Sequence, residues 1–188
     1  MQTPMSTATD RGRFFSLKRL VIIAAVVGLG WVTYEGAARW RLSKLFGGLD
    51  RVALLREATD VTAWRLLPPV NSQTGLQPIP PAKFQLAGDA VELPRGTAYE
   101  LQQVLAAPGS YEFVPNPKEC GPPDYGVKFS FVREGDYVDV YVCFKCRELA
   151  VTRNDGTNGE AGFSPAGSRL IAIVQELFPG DTEIMALK

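Results

Sequence analysis

The chain has no histidine anywhere in its 188 residues. That removes the commonest general base near neutral pH and the commonest metal ligand, so acid–base chemistry would need a carboxylate or lysine tuned by burial. Net charge is also missing. Twenty basic side chains balance twenty acidic ones with no long Lys or Arg block, which leaves nucleic acid without its usual electrostatic footprint. Cysteine is scarce, at three residues, one short of the four soft ligands that a structural zinc or an iron–sulfur site takes. Asp124, Asp136, Asp139 and Asp155 are scattered over turns and a strand, and the loop at 154–159 lacks the acidic spacing of a calcium loop. The reading is therefore no catalytic residue, no metal, no cofactor and no nucleic acid.

Only one long apolar run is present, at residues 20–34, and it follows the basic cluster Arg11, Arg13, Lys18 and Arg19. Crossing a hydrocarbon core takes about 20 residues. Gly36, Ala37 and Ala38 supply the extra length if Glu35 sits among headgroups, and Trp31, Tyr34 and Trp40 fall where an interfacial aromatic belt would lie. Gly28 and Gly30, inside the run, suit close helix packing better than phosphate binding. A cleaved signal also fits, with Gly36 and Ala38 as its small-residue site, and a buried soluble helix is a third reading. Arg39, Arg41, Lys44 and Arg51 follow almost as densely as the leading cluster, so the positive-inside count nearly ties. The compactness of the leading cluster tips it toward an N-in, C-out topology.

This divides the chain into a disordered cytoplasmic tail at 1–19, a transmembrane anchor or signal at 20–38, a juxtamembrane amphipathic helix at 39–58 and a globular domain at 59–188. The amphipathic stretch rests on Trp40, Leu45, Leu49, Val52 and Leu55, read as a stalk. Within the domain, 61–67 reads as a strand, and 84–86 with 91–93 as a hairpin closed by Ala87, Gly88, Asp89 and Ala90. Thr97 and Glu100 form a capping box before a helix carrying Leu101, Val104 and Leu105, and Tyr111 to Phe113 makes a short strand. The clearest hairpin pairs 127–132 with 137–144; apolar parity flips beyond Arg147, which places a bulge or tight bend within 143–148. Ser164 is the expected N-cap and Pro165 the first residue of a last helix, stopped by Pro179. The fold class is α+β: a single N-terminal transmembrane helix, then a mainly antiparallel sheet with helices packed on one face.

Cys120, Cys143 and Cys146 carry the only chemistry to weigh. Cys143 and Cys146 match C-x-x-C, which in an exported protein is a structural disulfide, a redox pair or a metal site. A thioredoxin-like pair needs its first cysteine at a helix start, whereas 147–153 reads as a strand. Along a regular strand, residues three apart lie about 10 Å from one another on opposite sides, beyond the roughly 4.4–6.8 Å of bridged Cα atoms. Cys143 and Cys146 therefore pair with each other only if the bend is sharp; the expected bridge ties Cys120 to one of them and leaves one odd thiol, and three reduced, buried cysteines are the alternative. Tyr137, Asp139, Tyr141 and Cys143 share a face, expected to be ordinary solvent-facing sheet. At the bend, Tyr141, Lys145 and Arg147 are the candidate partner-binding residues.

The series Val138, Asp139, Val140, Tyr141, Val142, Cys143, Phe144, Lys145 and Cys146, preceded by Cys120 and by Gly126 to Phe129, and followed by Phe163 and by Leu177 to Asp181, resembles a group of small uncharacterised bacterial envelope proteins. The resemblance covers roughly residues 60–187. It implies that the three cysteines act together, and brings no established activity. The expectation is an inner-membrane, single-pass protein whose C-terminal domain lies outside the cytoplasm, held by residues 20–38 and binding an envelope partner. The competing expectation is a thiol-based redox or metal-handling protein using Cys120, Cys143 and Cys146.

Overall fold

The computed structural model describes residues 11–69, 79–113, 122–153 and 158–188, with side chains at all of these but 11–19, 26–33, 153, 158 and 165. The chain divides into two units, Met1–Ala38 and Arg39–Lys188. In the first, residues 11–38 belong to the long helix α1 (Arg11–Phe46). Over 11–19, within the stretch expected as a tail, the backbone is helical; residues 1–10 of that stretch lie outside the described residues. Leu20, Val21, Ile22 and Ile23 are each about three-fifths exposed, at 59–62%. Among the described residues, no helix is long and apolar enough to cross a membrane.

The second unit begins with the last turns of α1. Gly47 and Gly48 end the helix at φ 88° and 142°, a region that side chains rarely enter, and both their N–H groups donate to the Ser43 carbonyl. Helix α2 (Leu49–Glu57) follows. Leu42, Leu45, Phe46, Val52, Leu54 and Leu55 are all buried in the main core. The stalk reading of 39–58 is therefore corrected: the apolar stripe is real, but it faces this unit's sheet, while Trp40 and Leu49 are exposed. A domain boundary at 59 does not exist for the same reason.

The strands are β1 (Asp60–Leu67), β2 (Gln85–Glu92), β3 (Val127–Arg133), β4 (Asp136–Cys143), β5 (Glu148–Arg153) and β6 (Asn158–Gly162), with α3 (Arg95–Leu105) between β2 and β3. Helices α4 (Gly167–Leu177) and α5 (Thr182–Met185) close the chain. Among the described residues these six strands form one antiparallel sheet in the order β2-β1-β3-β4-β5-β6. Alternation decides its faces. Val61, Ala63, Val127, Phe129, Phe131, Val138, Val140, Val142, Leu149 and Val151 join Leu101, Val104, Leu170 and Val174 of the helices in the main core. The α+β class with its antiparallel sheet stands as expected.

Several local expectations are corrected. The hairpin expected at 84–93 is one strand, β2: Ala63 faces Val91 and Arg65 faces Ala87, so residues 88–90 bulge opposite Trp64, with Gly88 at φ 77°. A bulge and a turn both call for glycine, so Gly88 beside Asp89 was ambiguous. Thr97 lies inside α3, whose N-cap is Pro94, and its hydroxyl donates to Glu176 Oε1 at 3.0 Å instead of capping. Tyr111 to Phe113 contributes a single bridge, Glu112 with Gly162. Ser164 and Pro165 form a 3-10 turn, Ser164–Ala166, and α4 begins only at Gly167.

Candidate functional site

The expected bend is a four-residue turn, 144–147, that returns the chain from β4 into β5. Val142 faces Leu149 across it, which explains the parity flip: the chain reverses and both residues stay on the core face. Arg147 takes the left-handed conformation at φ 51°; its N–H donates to the Phe144 carbonyl at 3.3 Å and its carbonyl accepts the Phe163 N–H at 2.9 Å. Lys145 and Arg147 are exposed on this turn.

Tyr141 does not join them. It is 6% exposed, in a second cluster with Leu66, Phe84, Tyr125, Cys143 and Ala150, against which Ile79 and Cys146 pack. The Tyr125 ring stands edge-on to Phe84 at 5.4 Å and to Tyr141 at 6.1 Å. The expectation of an ordinary solvent-facing surface is corrected here. Phe84, placed by the 3-10 turn Pro81–Lys83, and Tyr125, placed just before β3, come from outside the strands and cover one end of the face.

Cys143 is a free, fully buried thiol. Burial pushes it above its ordinary value, outweighing the Cys146 and Asp124 N–H groups that favour the thiolate; the Asp124 and Glu148 charges push the same way as burial. The Cys146 N–H lies 3.3 Å from its Sγ. Such a thiol is protonated and shielded at neutral pH, a poor nucleophile. Cys146 does not titrate as a free thiol, its sulfur being in a disulfide, and Cys120 lies outside the described residues.

Away from that cover the same face turns polar. Thr62, Ser130, Asp139 and Thr152 stand directly opposite one another across β1, β3, β4 and β5. The neighbouring row is Trp64, Lys128 and Tyr141. Lys128 reaches diagonally between the rows: its Nζ is 2.9 Å from Asp139 Oδ2, 4.8 Å from the Trp64 ring centroid and 5.9 Å from that of Tyr141. The Tyr141 hydroxyl is hydrogen-bonded to Thr152, yet burial, aided by the Asp139 charge, still pushes the phenol up. Asp139 is 7% exposed, and its Oδ1 has no hydrogen-bond partner among the described residues.

Trp64 and Lys128 were not singled out from the sequence. The signal was Asp139 itself, since a carboxylate in the middle of a Val-rich central strand needs a cation on an adjacent strand. Among the described residues no group of three or more Cys, Asp or Glu side chains is placed to hold a metal ion. No protein-family model matches the chain, and neither does any curated protein or solved structure.

Proposed function

We propose that the chain is a membrane-tethered module of a bacterial envelope, held at the inner membrane by residues 20–38 with its C-terminal domain outside the cytoplasm, and acting by binding or as structure without turnover. The observation that carries this is the exposure of Leu20, Val21, Ile22 and Ile23 on α1. Successive helical residues point about 100° apart, so these four cover the whole circumference and no single protein surface can bury them. Each such side chain gains roughly 1.5–3 kcal/mol on leaving water, and a bilayer removes all of them at once. The basic cluster on the N-terminal side supports the orientation. Alkaline extraction of membranes tests the anchor: the full-length chain is expected in the pellet, and its recovery in the supernatant at unprocessed mass overturns the reading.

The thiol alternative draws on the Cys143 Sγ lying beside the Cys146 N–H, which brings a free thiol next to a bridged one. Burial of Cys143 weighs against exchange with an external substrate. Insulin reduction by the purified protein, abolished in Cys143→Ser, would instead favour the redox reading.

A further inference from the structure

We propose that the polar end of the second sheet face is a binding site for a neutral ligand bearing vicinal hydroxyls, of the saccharide class. The inference rests on the binding reading above, not on the anchor. It starts from Asp139 Oδ1, a buried carboxylate oxygen with no hydrogen-bond partner among the described residues. Buried polar atoms in folded proteins are nearly always satisfied, and a charged acceptor most of all. This oxygen calls for a donor.

The surroundings narrow the kind of donor. A cationic ligand is disfavoured, because Lys128 already holds the other carboxylate oxygen at 2.9 Å and sits against the Trp64 and Tyr141 rings. A second positive charge there would meet like-charge repulsion in a poorly hydrated place. An anion would meet Asp139. A hydroxyl fits both neighbours: it donates to Oδ1, while the oxygen of the adjacent hydroxyl accepts one of the two remaining Lys128 N–H groups. Carboxylate and ammonium side by side thus read a pair of neighbouring hydroxyls.

The remaining residues suit the same ligand. Thr62, Ser130 and Thr152 stand in register with Asp139, and each hydroxyl can donate or accept. Trp64, partly exposed in the next row, offers a flat apolar surface for the C–H face of a sugar ring. Thr62 and Thr152 are partly exposed as well, so the row opens at both flanks.

Trp64 is one of three tryptophans, which makes it a usable reporter. The full chain, with Trp31→Phe and Trp40→Phe, would be placed in phospholipid nanodiscs free of sugar detergents and titrated with maltotetraose and with chitotetraose. The proposal expects a saturable change in Trp64 emission with at least one of them, with a dissociation constant on the order of 1 mM. Asp139→Asn should weaken it at least about tenfold, and Thr62→Val, which leaves the Lys128 pair intact, a few-fold. No saturable change with either sugar up to about 10 mM, or a change that Asp139→Asn and Thr62→Val leave untouched, overturns it. Because anchoring is read by extraction, failure here leaves the membrane assignment standing, and failure of extraction leaves this site standing.

Discussion

Arg65 is the side chain whose loss should be felt furthest from its own strand. It is mostly buried; its Nε donates to Asp181 Oδ2 at 2.7 Å, its Nη1 to the carbonyls of Leu66 and Gly126 at 2.9 and 2.8 Å, and its Nη2 pairs with Glu183. One guanidinium thus ties β1 to the approach to β3 and to the start of α5. Asp181 also caps α5, accepting the Glu183 and Ile184 N–H groups at 2.9 and 3.0 Å. Burial alone would raise its carboxyl, but the Ile184 N–H, the Arg65 guanidinium and the Glu183 N–H outweigh it and hold it below the ordinary 3.8. A folded value below the unfolded one means the stabilisation is present above 3.8 and is lost as pH falls through the folded value. Asp181→Asn keeps the cap acceptor and loses the charge, so it should cost about 1–3 kcal/mol at pH 7. Denaturant titrations of both proteins should show that gap closing at acid pH; a gap that stays constant refutes the ion-pair assignment. Nothing local betrays this pair, because 116 residues separate its members. Thr97 shows the converse. Its spacing to Glu100 was a valid local signal, and a tertiary partner, Glu176, took the hydroxyl instead.

At the scale of elements, legibility followed side-chain size. β1, β3, β4, β5, α3 and α4 carry large apolar residues at period two or 3.6, and each was readable. β6 is Asn158, Gly159, Glu160, Ala161 and Gly162, with no large side chain to signal a strand. Its glycine has a packing reason: a Cβ at Gly159 would overlap the Leu45 backbone carbonyl, so the end of α1 lies against this strand. Gly159→Ala should therefore destabilise by roughly 1–3 kcal/mol or more, because backbone on one side cannot yield as a flexible side chain would. Gly36→Ala, where nothing stands within 4 Å, is the control for thermal melts; equal effects would dismiss the close approach. The β3–β4 hairpin turns at Glu134 and Gly135, with φ 54° and 88°, the pair of positive angles of a type I′ turn. Gly135→Val should cost about 1–2 kcal/mol from that conformation alone, since no atom stands within 4 Å of an added Cβ. The 144–147 turn makes a different prediction. Lys145 and Arg147 are exposed there, so reversing both charges should leave the melting temperature within a few degrees while weakening co-purification of an envelope partner. Unchanged co-purification removes the turn as a contact surface.

At the scale of the whole molecule, the three cysteines join the fold to the compartment. Cys143 is free and Cys146 is bridged, and with only three cysteines in the chain the proposed partner within one molecule is Cys120. The sequence expectation ran from Cys120 to either Cys143 or Cys146, with three reduced cysteines as the alternative, because the choice depends on Cys143 pointing away from the helices into the cluster under Phe84 and Tyr125. That cover is supplied by residues outside the strands, which no strand periodicity announces. Closing a loop of about 25 residues restricts the unfolded chain by about 3 kcal/mol, and the gain persists only where thiols stay oxidised, outside the cytoplasm. The topology and the bridge therefore make one joint prediction. Protein isolated from cells with its thiols quenched at lysis should yield one titratable thiol after denaturation, assigned to Cys143. Cys120→Ser and Cys146→Ser should each lower the melting temperature in oxidising buffer and have little effect in reductant, whereas Cys143→Ala, which opens a small void in a buried cluster, should act equally in both. Three titratable thiols from quenched cells would place the domain on the reducing side of the membrane and reverse the orientation. One thiol, with a Cys143→Ser effect that depends on reductant, would instead move the bridge onto Cys143.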